Sequence, residues 1–360
     1  MTGSSPPVPL APYTTLGLGG PAARFVAADT ESELVEAVRV ADQRGEPLLV
    51  LGGGSNVVVA DAGFPGLVVR VATRGVTAAP DPGGADDAIR LTAAAGESWD
   101  GLVARCVAED LAGLECLSGI PGLAGATPIQ NVGAYGQEVA DTVVSVRAWD
   151  RDRGVIAEIP AADCGFGYRT SRFKRAGRHL VLAVTFRLTR SPWSAPVRYP
   201  DLATELGVAP GDRVPLAQAR AAVLKVRARK GMVLDADDPD SRSAGSFFTN
   251  PVLTDIEFKE LAARHDGPVP HYAAGPGQVK VPAAWLIEHA GFTKGHTGPG
   301  PHPARISTKH TLALVNPGDA TTAGLLALAG QIQDGVHRAF GIRLDIEPVL
   351  VGAFTSRRRS

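Results

Sequence analysis

The sequence has little cysteine, no long apolar run and almost no net charge. Its three cysteines, Cys106, Cys116 and Cys164, are too few and too scattered for a metal motif or a disulfide framework. No run approaches the roughly 18–20 apolar residues that span a bilayer, and no signal peptide is expected at the N-terminus. The formal net charge of −1 provides no global field that would recruit nucleic acid or an anionic membrane. We therefore expect a cytoplasmic protein without a metal, a nucleic-acid partner or membrane insertion.

The chain is long enough for two or three domains, at 360 residues. Its hydrophobic content of 44% and charged content of 20% are typical of a globular protein. A capping box, Thr30 with Glu33, predicts a helix that ends before Gly45. Helical and strand patterns follow one another in an α+β arrangement, with single strands predicted over 306–315 and 343–351.

The stretch from Gly119 to Gly136, G-I-P-G-L-A-G-A-T-P-I-Q-N-V-G-A-Y-G, is the densest functional signal. It has neither a helical period nor a strand alternation, so ordinary packing does not explain it. Glycine lets the backbone approach a ligand closely, and consecutive N–H groups in turns form anion-binding concavities. The stretch predicts a loop around a phosphate-bearing cofactor, with a long surface loop as the alternative.

A second glycine-rich loop follows a predicted strand at Gly52-Gly53-Gly54-Ser55-Asn56. The spacing of Gly52 and Gly54 suggests a dinucleotide-binding fingerprint of the Rossmann type. However, Val57 occupies the third glycine position, and 57–60 is strand-like where that fold needs a helix. The sequence instead favours a phosphate-binding loop of a different fold.

Five motifs in a fixed order connect these loops with the rest of the chain. They are L-G-G-G-S-N at 51–56, G-I-P-G-x-x-G-A-x-P-I-Q-N-V-G-A-Y-G at 119–136, G-Y-R-T-S-R-F at 167–173, A-G-S-F-F-x-N-P at 244–251 and L-x-x-E at 344–347. Together they resemble the UDP-N-acetylenolpyruvoylglucosamine reductase family, from about Thr14 to Gly352. The Tyr199-Pro200-Asp201-Leu202 segment is similar to the family's longer form, with a tyrosine loop over the substrate. Thr249 departs from the pattern, because many members have a basic residue there.

The resemblance implies a flavoenzyme of peptidoglycan precursor synthesis. It would use non-covalently bound FAD, with NADPH as reductant, to reduce the enolpyruvyl ether of a UDP-N-acetylglucosamine derivative to UDP-N-acetylmuramate. The implied fold is α+β, with a two-lobed FAD-binding domain of the vanillyl-alcohol-oxidase (PCMH) type and a C-terminal α+β substrate-binding domain. A monomer is expected.

The predicted domain boundaries follow from the motifs and from changes in composition. They are a disordered N-terminus at 1–12, the FAD-binding domain at 13–190, a connecting segment with the tyrosine loop and a helix at 191–230, the substrate domain at 231–352, whose last strand returns to the active site, and a tail at 353–360.

The resemblance also implies roles for individual residues. Arg169 would bind the substrate carboxylate, Ser246 would donate a proton to the α-carbon, and Glu347 would assist polarisation or proton delivery. The implied substrate-binding residues are Tyr168, Tyr199, Lys230 and Asn250. The implied cofactor-binding residues are Gly52, Gly53, Gly54, Ser55, Asn56, Gly119, Ile120, Pro121, Gly122, Gly125, Ala126, Thr127, Gln130, Asn131, Gly133 and Ala134.

Each of these roles has an ordinary structural alternative. Arg169 could be a surface arginine, Ser246 a turn residue and Glu347 a solvent-facing strand residue. Lys230 suits the C-terminus of a helix electrostatically. The histidines His296, His302 and His310 are not at metal-ligand spacing on one element and are interpreted as loop residues.

Two other functions stay open at this point. One is an oxidase of the same flavoprotein superfamily, many of which attach FAD covalently through a histidine of the FAD-binding domain. The absence of any histidine before His179 argues against that attachment. The other is a sugar-nucleotide or phosphate-binding protein without redox activity, which would be colourless when purified.

Overall fold

The computed structural model describes residues 6–174 and 177–352. The strands of this part of the chain, in order, are β1 (Val8–Pro9), β2 (Pro21–Ala28), β3 (Leu48–Leu51), β4 (Val57–Val59), β5 (Phe64–Val71), β6 (Val76–Pro80), β7 (Ala88–Ala94), β8 (Leu111–Ala112), β9 (Gly133–Ala134), β10 (Gln137–Glu138), β11 (Val143–Asp150), β12 (Val155–Pro160), β13 (His179–Arg190), β14 (Ser243–Ser246), β15 (Val252–Thr254), β16 (Tyr272–Gly275), β17 (Gln278–Lys280), β18 (Arg305–Ile306), β19 (Ala313–Val315) and β20 (Val349–Val351). The α-helices are α1 (Glu31–Gln43), α2 (Trp99–Ala108), α3 (Pro200–Leu206), α4 (Leu216–Arg229), α5 (Asp255–Ala263), α6 (Ala283–His289) and α7 (Thr322–Phe340).

Several helices begin at capping residues that the local sequence provides. The Thr30 hydroxyl accepts from the N–H of Glu33, whose carboxylate accepts from the N–H of Thr30, each at 3.2 Å. Thr254 and Glu257 form the same reciprocal pair at the start of α5. Side chains that accept orphan N–H groups typically stabilise a helix by about 1 kcal/mol. The predicted helix after Thr30 is confirmed, and Gly45 follows it with φ of 60°.

The chain forms two compact units, and the first consists chiefly of Ala23–Gly53 and Pro65–Arg229. Its larger sheet has the strand order β12-β11-β13-β7-β6, with β8 paired to the end of β13. In a smaller sheet β3 runs parallel to β5. Trp99 anchors the core of this unit: it is fully buried and its indole N–H donates to the carbonyl of Leu117 at 3.2 Å.

Of the predicted connecting segment at 191–230, residues 191–229 are part of the first unit, and Lys230 belongs to the second. Its helices α3 and α4 bury apolar residues in a small cluster that also includes Cys116. The buried carboxylate of Glu115 ties the segment down, because it accepts from the N–H of Ala195 at 2.6 Å. The residues after Tyr199, read from the sequence as loop, form α3 instead, with Pro200 at its first position, where a missing N–H costs nothing.

The second unit consists of Val8–Ala22, Gly54–Phe64 and the chain from Lys230 onward. Its small sheets have the orders β14-β19-β18 and β15-β17-β16, and β20 pairs in parallel with β4. Helix α7 fills its core with fully buried leucine, isoleucine and valine side chains. The Asp61 carboxylate accepts from the first N–H groups of α7, at 2.8 and 2.9 Å, and so caps that helix.

The predictions for the chain ends and for two strands need correction. The expected strand at 306–315 is two short strands, β18 and β19, because the buried Ser307 hydroxyl accepts from N–H groups of a tight turn between them. The expected strand at 343–351 is reduced to β20, since Pro348 cannot donate to a ladder.

The prediction of a disordered N-terminus through residue 12 is wrong for residues 8–12, where β1 forms and Leu10 is fully buried. The predicted tail at 353–360 lies outside the described residues.

The three cysteines are all buried as free thiols. Burial raises the pKa of Cys106 and of Cys116 to about 12, and that of Cys164 to about 11. Thiols in this state behave as small hydrophobic groups and are poor nucleophiles.

Within residues 6–174 and 177–352, none of the helices combines the length and the apolarity that crossing a bilayer requires. The same described residues contain no group of three His, Cys, Asp or Glu side chains that could hold a metal ion. Two of the histidines considered from the sequence have ordinary surroundings. His296 packs edge-on against Phe292, and His302 lies 4.0 Å from Asp319 at the surface.

Two glycines on α7 should respond oppositely to alanine. A methyl group on Gly330 would meet no atom within 4 Å, so Gly330→Ala should raise the free energy of unfolding by about 0.5–1 kcal/mol through helix propensity. A methyl group on Gly335 would lie 2.3 Å from the buried Phe292 ring, so Gly335→Ala should lower it by about 1–3 kcal/mol. Urea unfolding of both variants measures the difference, and equal shifts would contradict this account of the packing.

Candidate active site

The loop from Gly119 to Gly136 is held tightly against the first unit. The N–H of Trp99 donates to the carbonyl of Gly122 at 3.0 Å, and the N–H of Gly125 donates to that of Ala95 at 3.0 Å. Ile129 and Val132 pack against the main core cluster. The stretch is therefore a defined element of the first unit, unlike the exposed surface loop that the sequence left as an alternative.

Glycine is required in this loop by the packing of the protein itself. A Cβ on Gly53 would lie 2.7 Å from the Cα of Gly122, and one on Gly125 would lie 2.4 Å from the Cβ of Ala95. A Cβ on Gly119 would lie 2.7 Å from Leu224. The contact between Gly53 and Gly122 brings together the two glycine-rich loops that the sequence predicted for one cofactor.

Two of the predicted cofactor residues use their side chains within the protein. The buried Thr127 hydroxyl donates to the carbonyl of Ala124 at 2.8 Å. The buried Asn131 amide donates to Glu138 at 2.7 Å and accepts from the N–H of Ala140 at 3.1 Å. Six more predicted cofactor residues lie along the same loop: Ile120, Pro121, Ala126, Gln130, Gly133 and Ala134. The side chains of Thr127 and Asn131 therefore stabilise the protein itself.

The chemistry of this loop fits the diphosphate of FAD. Residues 119–136 include no acidic side chain. The Arg227 side chain of α4 is only 8% exposed and packs beneath Gly119, with its Nε 3.3 Å from where a Cβ of that glycine would stand. Burial lowers the pKa of Arg227 from its ordinary value. Main-chain amides beside a buried guanidinium suit an anionic group.

Arg169 occupies a tight turn with an unusual backbone. Gly167 and Thr170 exchange N–H to carbonyl hydrogen bonds at 3.1 and 3.2 Å across Tyr168 and Arg169. Arg169 has φ of 51°, a conformation that favours glycine or asparagine and that clusters at functional sites. Its guanidinium lies over the Tyr168 ring, 5.5 Å from the ring centroid, and Tyr168 is 40% exposed.

The arginine turn is docked onto the glycine-rich loop by three hydrogen bonds. Arg169 Nη2 donates to the carbonyl of Gly133 at 3.1 Å. Asn131 Nδ2 donates to the carbonyl of Gly167 at 3.2 Å, and the Ser171 hydroxyl donates to that of Ile129 at 2.7 Å. The structure thus brings the predicted carboxylate-binding arginine to the predicted cofactor loop.

Tyr135 and Arg227 join this group, although the sequence analysis assigned neither to the site. Tyr135 has φ of 50°, hydrogen-bonds the Arg227 side chain, and contacts the Tyr199 ring edge-on at 5.4 Å. Burial raises the pKa of Tyr135 from its ordinary value. The signal available for Arg227 was its place in the last turn of the basic helix α4, three residues before the predicted substrate residue Lys230 in the sequence.

In the second unit, Ser246 and Glu347 lie on adjacent segments. Ser246 ends β14 and pairs with Ala313 of β19. The N–H of Glu347 donates to the carbonyl of Phe247, the residue after Ser246, at 3.0 Å. Phe247 is fully buried and therefore anchors both segments to the core. A hydroxyl and a carboxylate are thus presented from neighbouring backbone positions.

The structure also gives the surroundings of other predicted site residues in this unit. Asn250 uses its amide oxygen to accept from the N–H of Ala283 at 2.9 Å, which caps α6. Gly54 packs against Tyr13, since a Cβ there would stand well inside van der Waals contact with that residue's carbonyl. Ser55 and Asn56 follow in the turn before β4.

Lys230 lies in a cationic cluster with His310 and Lys294, of which the sequence analysis assigned only Lys230. Burial, with the charges of Lys230 and Lys294, lowers the pKa of His310 to about 4. At neutral pH the imidazole is therefore neutral, and the charges of two ammonium groups act on it. Such a cluster suits an anionic ligand that also offers a hydrogen-bonding group.

The predicted site residues divide between the two units. The first unit includes Arg169, Tyr168, Tyr199, Gly52, Gly53 and the loop from Gly119 to Gly136. The second includes Gly54, Ser55, Asn56, Lys230, Ser246, Asn250 and Glu347. Their catalytic, cofactor-binding and substrate-binding roles stay predictions.

Comparison with family models divides the chain in a similar way. Residues 22–159 match a model described as an FAD binding domain. Residues 237–351 match a model described as the C-terminal domain of UDP-N-acetylenolpyruvoylglucosamine reductase. The predicted α+β fold, with an FAD-binding domain and a C-terminal substrate domain, is confirmed.

Curated relatives and a solved structure match over nearly the whole chain. The UDP-N-acetylenolpyruvoylglucosamine reductases of Thermobifida fusca and Streptomyces coelicolor are 56% and 55% identical to it; each alignment covers 96% of this chain, and 97% and 89% of the relative. A crystal structure of the reductase from Thermus caldophilus matches with a TM-score of 0.65 at 26% identity, covering 96% of this chain and 98% of that one. The similarity over nearly the full length leads to one conclusion: the chain belongs to the UDP-N-acetylenolpyruvoylglucosamine reductase family.

Proposed function

We propose that the protein uses FAD and NADPH to reduce UDP-N-acetylenolpyruvoylglucosamine to UDP-N-acetylmuramate, a step in peptidoglycan precursor synthesis. The observation that carries this proposal is the docking of Arg169 onto Gly133 of the glycine-rich loop. It joins a carboxylate-binding group to a cofactor loop in a chain of this family. The substrate, a sugar nucleotide, has a diphosphate, an enolpyruvyl carboxylate and an activated double bond, and each needs a different partner.

Arg169 is suited to the enolpyruvyl carboxylate. A guanidinium has five N–H donors in a rigid fork, and the contact with Gly133 uses one of its nitrogens. Addition of hydride to the β-carbon would develop enolate charge on the carboxylate. A cation held in place before reaction stabilises that charge without reorganising.

Ser246 is the proposed proton donor to the α-carbon, and Glu347 its partner. A serine hydroxyl is a weak acid, so a neighbouring group must restore its proton or balance its charge. The hydrogen bond between Glu347 and Phe247 keeps the carboxylate segment beside the serine segment. The pair therefore supplies a proton donor for the developing carbanion and a neighbouring group that restores the donor's proton or balances its charge.

The cationic cluster of Lys230, Lys294 and His310 is proposed to bind the diphosphate. Two ammonium groups offset the charge of the phosphates, and the neutral imidazole contributes a hydrogen bond. Tyr199 is proposed to cover the substrate, Tyr168 to line its carboxylate end, and Asn250 to donate through its Nδ2, since its Oδ1 is occupied by Ala283.

FAD, when bound, supplies the hydride. The predicted residues of the Gly52–Asn56 and Gly119–Gly136 loops are proposed to hold it, mainly through main-chain N–H groups. The absence of histidine before His179 supports non-covalent binding. We also propose that the enzyme is monomeric and cytoplasmic. A cytoplasmic location agrees with a small, charged nucleotide substrate.

The purified protein should be yellow, and the colour should disappear and return in two separate steps. Anaerobic NADPH should bleach the flavin, and the enolpyruvyl substrate should then restore the absorbance. Initial-rate plots should be parallel lines, because one flavin serves both half-reactions in turn. A colourless protein, or a bleached flavin that this substrate does not reoxidise, would contradict the proposed reaction.

Replacement of Ser246 should affect one half-reaction only. In Ser246→Ala, reoxidation of the flavin by substrate should slow by at least about 100-fold, since the proton donor is lost. Reduction by NADPH should stay within about two-fold of the wild type, because that step needs no proton at the substrate α-carbon. Stopped-flow spectroscopy measures both, with Ser32→Ala on the exposed face of α1 as a control. Equal loss in both half-reactions would exclude the donor role.

The stability of the protein should depend on pH through His310. Its folded-state pKa of about 4 lies below the ordinary value of 6.5, so the unfolded chain takes up the proton first as the pH falls. The folded protein should therefore lose stability from about pH 6.5 towards about pH 4, at up to about 1.4 kcal/mol per pH unit. In His310→Gln this part of the loss should be absent. Urea unfolding between neutral pH and about pH 5 measures it, and a pH-independent difference between the two proteins would contradict it.

A further inference from the structure

Positive φ values are concentrated where the arginine turn meets the glycine-rich loop. Among the described residues other than glycine, φ is positive at Asp110, Asn131, Tyr135 and Arg169. Three of these four residues lie on the two docked segments. Such conformations persist only where surrounding contacts impose them, so the contacts at Arg169 require an explanation.

Lys174 makes such a contact, at the main chain of Arg169. Its ammonium group donates to the carbonyl oxygen of Arg169 at 2.7 Å in a partly buried position. The N–H of Lys174 donates to the carbonyl of Ser171 at 3.2 Å, and the Ser171 hydroxyl is bound to Ile129 of the glycine-rich loop. The lysine is therefore itself held by the loop on which the turn is docked.

The geometry of this contact differs from that of the other docking bonds. Asn131 and Ser171 hold the flanks of the turn, whereas Lys174 holds the peptide group of Arg169 itself. Fixing that carbonyl fixes the ψ angle of Arg169, and hence the direction in which its side chain leaves the backbone. A charge-assisted hydrogen bond is stronger and shorter than a neutral one, which suits it to an unfavourable conformation.

We propose that Lys174 is a positioning residue for Arg169, which it keeps in the left-handed conformation that aims the guanidinium at the substrate carboxylate. This inference rests on the proposed role of Arg169. Lys174 need not touch the substrate for this role. Displacement of a reacting group by about 1 Å costs roughly 100-fold in rate. Loss of the contact should therefore cause a large decrease in the rate of the step that uses the carboxylate.

The test compares two half-reactions and two ligands in the FAD-loaded full chain. Lys174→Met keeps the length of the side chain and removes its donor. Reoxidation of the flavin by the enolpyruvyl substrate should slow by about 10- to 100-fold, while reduction by NADPH should stay within about two-fold. Lys174→Arg should recover most of the rate, and Lys174→Gln, with a neutral donor, should be intermediate. Lys259→Met, at an exposed position of α5, is the matched control.

Equilibrium binding provides a readout that does not depend on turnover. UDP-N-acetylmuramate has a carboxylate, and UDP-N-acetylglucosamine lacks one. In Lys174→Met, calorimetry should show affinity for UDP-N-acetylmuramate falling by about 5- to 10-fold, with affinity for UDP-N-acetylglucosamine unchanged. Loss of affinity for both ligands to the same extent would indicate a general structural role and would overturn the proposal.

Arg169→Met separates failure of this inference from failure of the proposed function. If Arg169→Met slows reoxidation and Lys174→Met does not, the positioning role is wrong and the role of Arg169 stands. If Arg169→Met leaves both reoxidation and UDP-N-acetylmuramate binding unchanged, the proposed function of Arg169 is wrong. Should Lys174→Met fail to fold, the comparison of Lys174→Gln with Lys174→Arg decides, and equal rates in these two variants would overturn the proposal.

Discussion

Close packing of main chain against main chain determines the shape of the candidate FAD site. Gly53 approaches the main chain of Gly122 so closely that a side chain at Gly53 would have no room, and Gly125 is packed in the same way against Ala95. The loop carries the arginine turn through three hydrogen bonds that join loop atoms to turn atoms. The position of Arg169 therefore depends on the close packing of these glycines.

The second unit meets its chemical requirements by similar means. Buried Phe247 holds the Ser246 and Glu347 segments together through the main chain, so that two weakly acidic or basic groups share one neighbourhood. Elsewhere in the unit, burial and the charges of two lysines keep His310 neutral. In the proposed site the lysines would offset the charge of the ligand, and the imidazole would form a hydrogen bond. In each case apolar packing sets the state of a polar group.

Much of the fold and of the candidate site could be predicted from local patterns. Capping boxes at Thr30 and Thr254 identify helix starts because their donors and acceptors lie within four residues. The strand at β4 was sufficient to reject a Rossmann fold, since that fold needs a helix there. The strand predicted at 306–315 failed, because the turn at Ser307 depends on a buried hydroxyl whose burial no local pattern reveals.

The sequence by itself determined the family, the cofactor class and the residue types available for chemistry, because these are recorded in motif order and spacing. Only the tertiary structure decided how those residues are used. It committed Asn131 to holding the arginine turn and Asn250 to capping α6, and it brought Arg227 to Tyr135 and Lys174 to Arg169. The physical reason is that hydrogen-bond partners and burial are set by contacts between segments, and a linear pattern does not specify which segments will meet.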